Sequence, residues 1–219
     1  GRGRTAVTIL SLVMSITVFV ALQSFTGLLD ASSSVQDMYF SDYAVTNETV
    51  GIPSEAVKTL AENDAVESVS TTRLSVFMPG AGDILPFETD LSVQSHETLQ
   101  LVNVDEAQLQ IYAPNLSAQD KQALKDGTGC LVKNPIAFSY GDTTVQQTDL
   151  TVGDTIQLGD RTLPVLGLID TAITINNDGF TNGVQLIVND EIYCSLLGND
   201  SYSEVYPTLQ DNADTDTFE

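Results

Sequence analysis

Hydrophobic positions fall on this 219-residue chain in two regimes. Residues 5–29, TAVTILSLVMSITVFVALQSFTGLL, form an uncharged run with no proline and one glycine. Beyond residue 30 the apolar positions come in short clusters separated by Gly, Pro, Asn and Asp. The first regime predicts a transmembrane helix, because 25 residues at about 1.5 Å each exceed a hydrocarbon core of roughly 30 Å. Arg2 and Arg4 precede the run, no basic residue comes after it until Lys58, and every acidic residue lies at Asp30 or later. That asymmetry keeps the N-terminal flank in the cytoplasm and exports the chain from Asp30 onward. A cleaved signal peptide would have a shorter apolar region and a small-residue cleavage site, and no A-x-A closes this run. Ser11 and Ser15 are four apart and share one helical face, which with Thr8 and Gly27 suits packing against sister helices; a serine facing lipid is the other reading.

The second regime predicts alternating strands and helices. After a polar stalk at 30–37, residues 38–45 (MYFSDYAV) alternate like a strand. Ser54, after Pro53, is positioned to cap a helix whose stripe is Ala56, Val57, Leu60 and Ala61, with Asn63-Asp64 ending it. Residues 66–78 (VESVSTTRLSVFM) return to β character, giving a β-α-β unit. Short strands are expected at 85–95, 99–105 and 107–113. Ser117 opens a second helix with Asp120 three residues on and Gly127 past its end, then GCLVKN reads as a strand. Residues 150–170 (LTVGDTIQLGDRTLPVLGLID) predict a hairpin turning at Gly159-Asp160, a Gly-X pair suited to type II′, and Pro164 implies that its second strand starts at an edge. A strand at 183–188, a helix at 190–197 ended by Gly198, a strand at 204–209 and a helix start at 211–219 complete the reading. The fold class is α+β, with an extracytoplasmic part of two lobes at 30–219 after a flank and membrane helix at 1–29.

Charge narrows the partners. The exported part holds all 30 acidic residues of the chain against six of its basic ones, a formal −24. Such a surface is repelled by phosphate backbones and anionic headgroups, which excludes nucleic-acid binding. Cys130 and Cys194 are the only cysteines; outside the cytoplasm they could form one disulfide or stand as two buried thiols. No CxxC or Cys/His cluster offers a zinc site. The single histidine, His96, lies beside Glu97 with Ser92 and Ser95 nearby, but adjacency in sequence does not make a triad, and a surface histidine is the plainer reading. The tail at 212–219, NADTDTFE, begins like a calcium loop yet carries Thr217 where glycine belongs, so a solvated helix start fits better. With no tryptophan, the scattered tyrosines and phenylalanines supply the bulk of the core, and a few could line an apolar groove.

Four stretches, in order, carry a resemblance. RTAVTILSLVMSITVFVAL, SEAVKTLAENDAVESVS, VGDTIQLGDRTLPVLGLID, and VQLIVNDEIYCSLLG with SEVYPTLQDNADTDTFE after it together resemble the FtsX-like/MacB-like family of ABC transporter permeases. They are similar to its first membrane helix, the helix and strand leading into its periplasmic core domain, that domain's hairpin, and its later strand-helix-strand. SYGDTTVQQTD departs from the family pattern before the hairpin. The resemblance implies a fragment, the first span plus most of an ectodomain cut short at its C-terminal end, with three more spans beyond it. It also implies a non-enzymatic permease subunit in the cell membrane, working as a permease dimer among membrane lipid. It binds no cofactor itself: no Walker-type G-x-x-x-x-G-K-[ST] occurs, so ATP belongs to a separate cytoplasmic ATPase subunit. The rival expectation is a single-span cell-surface protein that binds a ligand or partner by itself.

Overall fold

A computed structural model describes residues 41, 43–46, 51–93, 98–134, 149–170, 173 and 183–211. The chain divides into two compact units, Gly1–Phe40 and Ser41–Glu219; residues 5–29, with Ser11 and Ser15, lie outside the described residues. Among those described, no helix is long and apolar enough to cross a membrane.

Among the described residues the second unit is built on one eight-stranded mixed sheet, where two lobes were expected. Its strands are β1 (Val45–Thr46), β2 (Val66–Phe77), β3 (Thr98–Val104), β4 (Cys130–Lys133), β5 (Thr155–Leu158), β6 (Arg161–Ile169), β7 (Gly183–Ile187) and β8 (Glu204–Leu209). The order across the sheet is β1-β8-β2-β3-β7-β4-β6-β5. β3 with β7 and β4 with β6 are parallel, and the remaining neighbours are antiparallel. Because β8 runs antiparallel to both β1 and β2, those two run parallel with β8 between them, so the expected β-α-β unit is split by the last strand.

Four helices cover the sheet among the described residues: α1 (Ser54–Ala61), α2 (Glu106–Tyr112), α3 (Ala118–Lys125) and α4 (Asp190–Leu197). Alternation along the strands decides which helix goes where. Leu99, Leu101, Cys130, Val132, Val184 and Leu186 face α4 through Ile192 and Tyr193, and Val205 and Val69 face Val57 and Leu60 of α1 on the same side. Val102, Leu131 and Ile187 point the other way, to Leu109 of α2 and Leu124 of α3.

Three sequence expectations are corrected. Residues 106–112 form a helix rather than a strand, because Asp105 caps it by accepting from Gln108 N–H at 3.0 Å. Ser54 does not cap α1: Pro53 holds that position, and Ser54 Oγ instead donates to Asp200 Oδ2 at 2.7 Å. Pro164 lies in an interior strand, since β6 pairs with both β4 and β5; it stands opposite Thr155, one residue before the pairing to β4 begins. Ser117 caps α3 and Gly198 ends α4 in the left-handed conformation at φ 64°, as expected, and the structure adds Asn189 as the cap of α4. Gly183 has a stricter requirement, because a Cβ there would lie 2.0 Å from the Thr98 carbonyl oxygen and its φ is +134°. No other residue lets β7 start this close to β3.

Candidate functional site

The face under α1 and α4 is apolar except in the seam between them, where Arg73 is 3% exposed. β2 carries it opposite Asn103 of β3, and the side chain points to the α4 side. Nη1 donates to Asn103 Oδ1 at 3.1 Å and to Asp190 Oδ1 in the first turn of α4. Nε and Nη2 both donate to the Asp200 carbonyl, at 3.3 and 2.9 Å. The guanidinium carbon sits 3.7 Å above the Tyr202 ring centroid, a cation–π contact made in a desolvated place. Arginine suits this site because its planar fork serves several acceptors at once while one face stays free to stack.

The same loop is tied back to the start of the fold. Ile52 and Tyr202 exchange backbone hydrogen bonds at 2.7 and 2.8 Å, and the Ser54–Asp200 bond joins the loop to α1. Asn103 Nδ2 donates to the Val188 carbonyl at 3.1 Å, and Ser75 Oγ and Tyr193 Oη are 2.7 Å apart. Burial raises the Tyr193 phenol, against lowering by the Ser75 hydrogen bond and by Arg73, with the Cys194 charge adding a smaller rise. Arg73 therefore ties β2, β3, α4 and the 199–203 loop, and the loop ties α1. The arrangement joins these elements through a fixed cation, its hydrogen bonds and a cation–π contact.

Cys130 and Cys194 are free thiols: Cys130 is buried in the α4-side core and Cys194 packs against it from the helix. Burial pushes the Cys130 thiol up to about 12. Burial also raises Cys194, opposed by Arg73 and reinforced by Asp190 and Asp200. Neither is a reactive thiolate at neutral pH. Ser92 is in a described coil, whereas Ser95, His96, Glu97 and residues 212–219 lie outside the described residues. Among the described residues no group of His, Cys, Asp and Glu converges to hold a metal.

On the opposite face a cavity of about 400 Å³ opens between the α2–α3 connection and β6. Leu116, Leu131, Leu166 and Ile169 are among its apolar lining, and Asp120 and Asp170 are among its polar residues. Tyr112 beside it is raised by burial first and then by the charge of Glu204.

The sequence signal for the Arg73 cluster was a lone cation inside the alternating run VESVSTTRLSVF; nothing local identified its partners, which lie 30 to 127 positions away.

No protein-family model matches the chain, and no curated protein matches it. Among solved structures it is similar to the extracellular domain of the noncanonic ABC-type transporter YknZ from Gram-positive bacteria, 11% identical over 80% of this chain and 85% of that one, with a TM-score of 0.47. It is also similar to the periplasmic region of MacB from Actinobacillus actinomycetemcomitans, 9% identical over 78% of this chain and 71% of that one, with a TM-score of 0.46.

Proposed function

We propose that the chain supplies a membrane span and ectodomain of an ABC transporter permease, working beside a cytoplasmic ATPase and a second permease copy. One observation carries this reading. β1 and β8 pair antiparallel, Val45 with Val205, so the chain enters the sheet and leaves it at the same end. A domain whose two connections emerge together suits insertion between consecutive membrane helices. The sequence resemblance supports the same role, because three of its four stretches fall on successive structural pieces: α1 with the start of β2, the β5–β6 hairpin, and β7 with α4 and then β8.

The role is mechanical, with ATP chemistry left to the partner. β2, 12 residues long, reaches about 40 Å from that end of the sheet to the other. Arg73 clamps its middle to α4 and, through the 199–203 loop, to α1, so displacement at the connections is passed to the far end by stiff, hydrogen-bonded parts. The domain lies outside the cytoplasm in this reading and couples ATPase-driven movement to export or to an envelope partner.

The test is to read the coding sequence around residues 1–219 and to purify the tagged full-length product from its own cells. Three further apolar spans, with a Walker-A protein co-purifying and hydrolysing ATP, are expected. A stop codon shortly after Glu219 and no ATPase in the preparation would replace this reading with that of a single-span binding protein.

A further inference from the structure

β5 is the last strand of the sheet, and its outer edge is occupied by the chain itself. In a hairpin with a two-residue turn, the residues flanking the turn form a hydrogen-bonded pair. Leu158 with Arg161 and Ile156 with Leu163 therefore turn their N–H groups inward to β6. Thr155, Gln157 and Gly159 turn theirs outward. The two nearest the turn are taken by one segment: Gln157 N–H by Asp90 Oδ1 at 2.9 Å, and Gly159 N–H by the Glu88 carbonyl at 2.7 Å. Between them Thr89 makes a single antiparallel bridge to Leu158. The segment is anchored by Phe87, which is buried in the α4-side core with its ring edge-on to Phe77 at 6.0 Å, and by Leu85 and Leu91.

This contact ends where a true strand would continue. At Asp90 a side-chain carboxylate replaces the main-chain acceptor, so no further ladder can be laid on it. Without the segment, β5 would present an uncharged Thr-Ile-Gln-Leu edge with free outward donors, a template for strand addition. An antiparallel edge is self-complementary, so a second copy of the same strand satisfies it through a two-fold contact.

We propose that residues 88–90 are an intramolecular guard that withholds the β5 edge from pairing, and that releasing it lets β5 pair antiparallel with β5 of a second copy. Asp90 is the latch, because its carboxylate is the one contact in the segment made by a side chain to the edge.

The experiment uses the whole chain in detergent, with three variants. Asp90→Ala removes the acceptor, and Asp90→Asn keeps one carbonyl oxygen. Asp90→Ala/Gln157→Pro adds a residue without the outward N–H while sparing the inward ladder. Hydrogen exchange is measured by mass spectrometry in peptides covering 155–160, with β3 as the check on folding, and association by sedimentation over a range of concentrations. Asp90→Ala is expected to speed exchange at 155–160 about tenfold, for the loss of one hydrogen bond, with β3 unchanged, and to add a self-association step absent from the parent. Asp90→Asn should behave as the parent, and the double variant should lose the added step. Unchanged exchange in Asp90→Ala, faster exchange without added association, or association that persists in the double variant would each overturn the proposal.

Discussion

The two faces of the sheet are held by different forces. Towards α1 and α4, the central strands present Leu99, Leu101, Cys130, Val132, Val184 and Leu186, all buried, and Ile192 and Tyr193 close over them. Towards α2 and α3, the same strands place Thr98, Gln100, Gln185 and Lys133 in the interior beside Val102, Leu131 and Ile187. There Gln185 donates to Gln100 Oε1 and to the Ile173 carbonyl and accepts from Ile173 N–H, each at 2.8 Å. Gln108 of α2 accepts from Thr72 Oγ1 at 2.8 Å and donates to Ser70 Oγ and the Thr71 carbonyl, each at 3.1 Å. Apolar burial is non-directional, so the first face demands volume. The second demands particular partners at particular distances, and thereby fixes strand register: a one-residue slip would bring Gln100 and Gln185 among the leucines with no acceptor to meet them.

That contrast predicts unequal costs. Leu186→Ala, on the first face, leaves a cavity among fully buried side chains and should cost about 3 kcal/mol. Urea unfolding monitored by tyrosine fluorescence would measure it, since the chain has no tryptophan. A cost under about 1 kcal/mol would mean that this face collapses freely around the gap. Gln185→Leu conserves volume yet removes the donor to the Gln100 amide oxygen and the side-chain partner of both Ile173 backbone groups, and should cost about 2 kcal/mol. Replacing Gln100 and Gln185 together by leucine should cost less than the sum of the single changes, because each removes the other's partner. Strict additivity would show that the two glutamines do not act as a pair.

The strands and the capped helices were largely legible in the sequence, and the polar contacts between them were not. Alternation in LQLVNV and GVQLIV located β3 and β7, the cap Ser117 placed α3, and Gly198 marked the end of α4, because these signals are local. The segment AQLQIY misled for a physical reason: Ala107, Leu109 and Ile111 alternate as in a strand, but Asp105 caps a helix of only seven residues, too short to show its own period. In it the buried positions are Gln108 and Leu109, and Ile111 is 58% exposed. Sequence hydropathy cannot distinguish a glutamine bound for water from one bound for another glutamine 85 positions away. The Arg73 cluster was hidden in the same way, and Pro207 in β8 is tolerated only because the pairing with β1 stops at Val205, leaving an edge where it stands.

The seam between α1 and α4 is the first face's one polar place, and it offers a smaller perturbation. Asp190 is 66% exposed while its partner Arg73 is 3% exposed, so water already shares the carboxylate. Asp190→Asn keeps an oxygen for Arg73 and loses the charge, and should cost about 1 kcal/mol, less than a fully buried pair would. Added salt should shrink the difference between parent and variant. A loss of about 3 kcal/mol or more, indifferent to salt, would show that the pair behaves as fully buried and that polar contacts govern both faces.

Lys133 gives the smallest effect and the sharpest test of the second face, because it can be read by pH alone. Burial lowers its ammonium from 10.5, so the unfolded chain holds that proton more tightly than the folded one. Folding stability attributable to this group therefore rises with pH between the lowered folded value and 10.5, and is flat on either side. Lys133→Met removes the titration while keeping a flexible side chain of similar length. The stability difference, variant minus parent, should be largest near neutral pH and should fall steadily as pH approaches 10.5. A difference that stays constant across that range would mean that Lys133 keeps its proton equally well in both states, and that hydrogen bonding on this face compensates its charge in full.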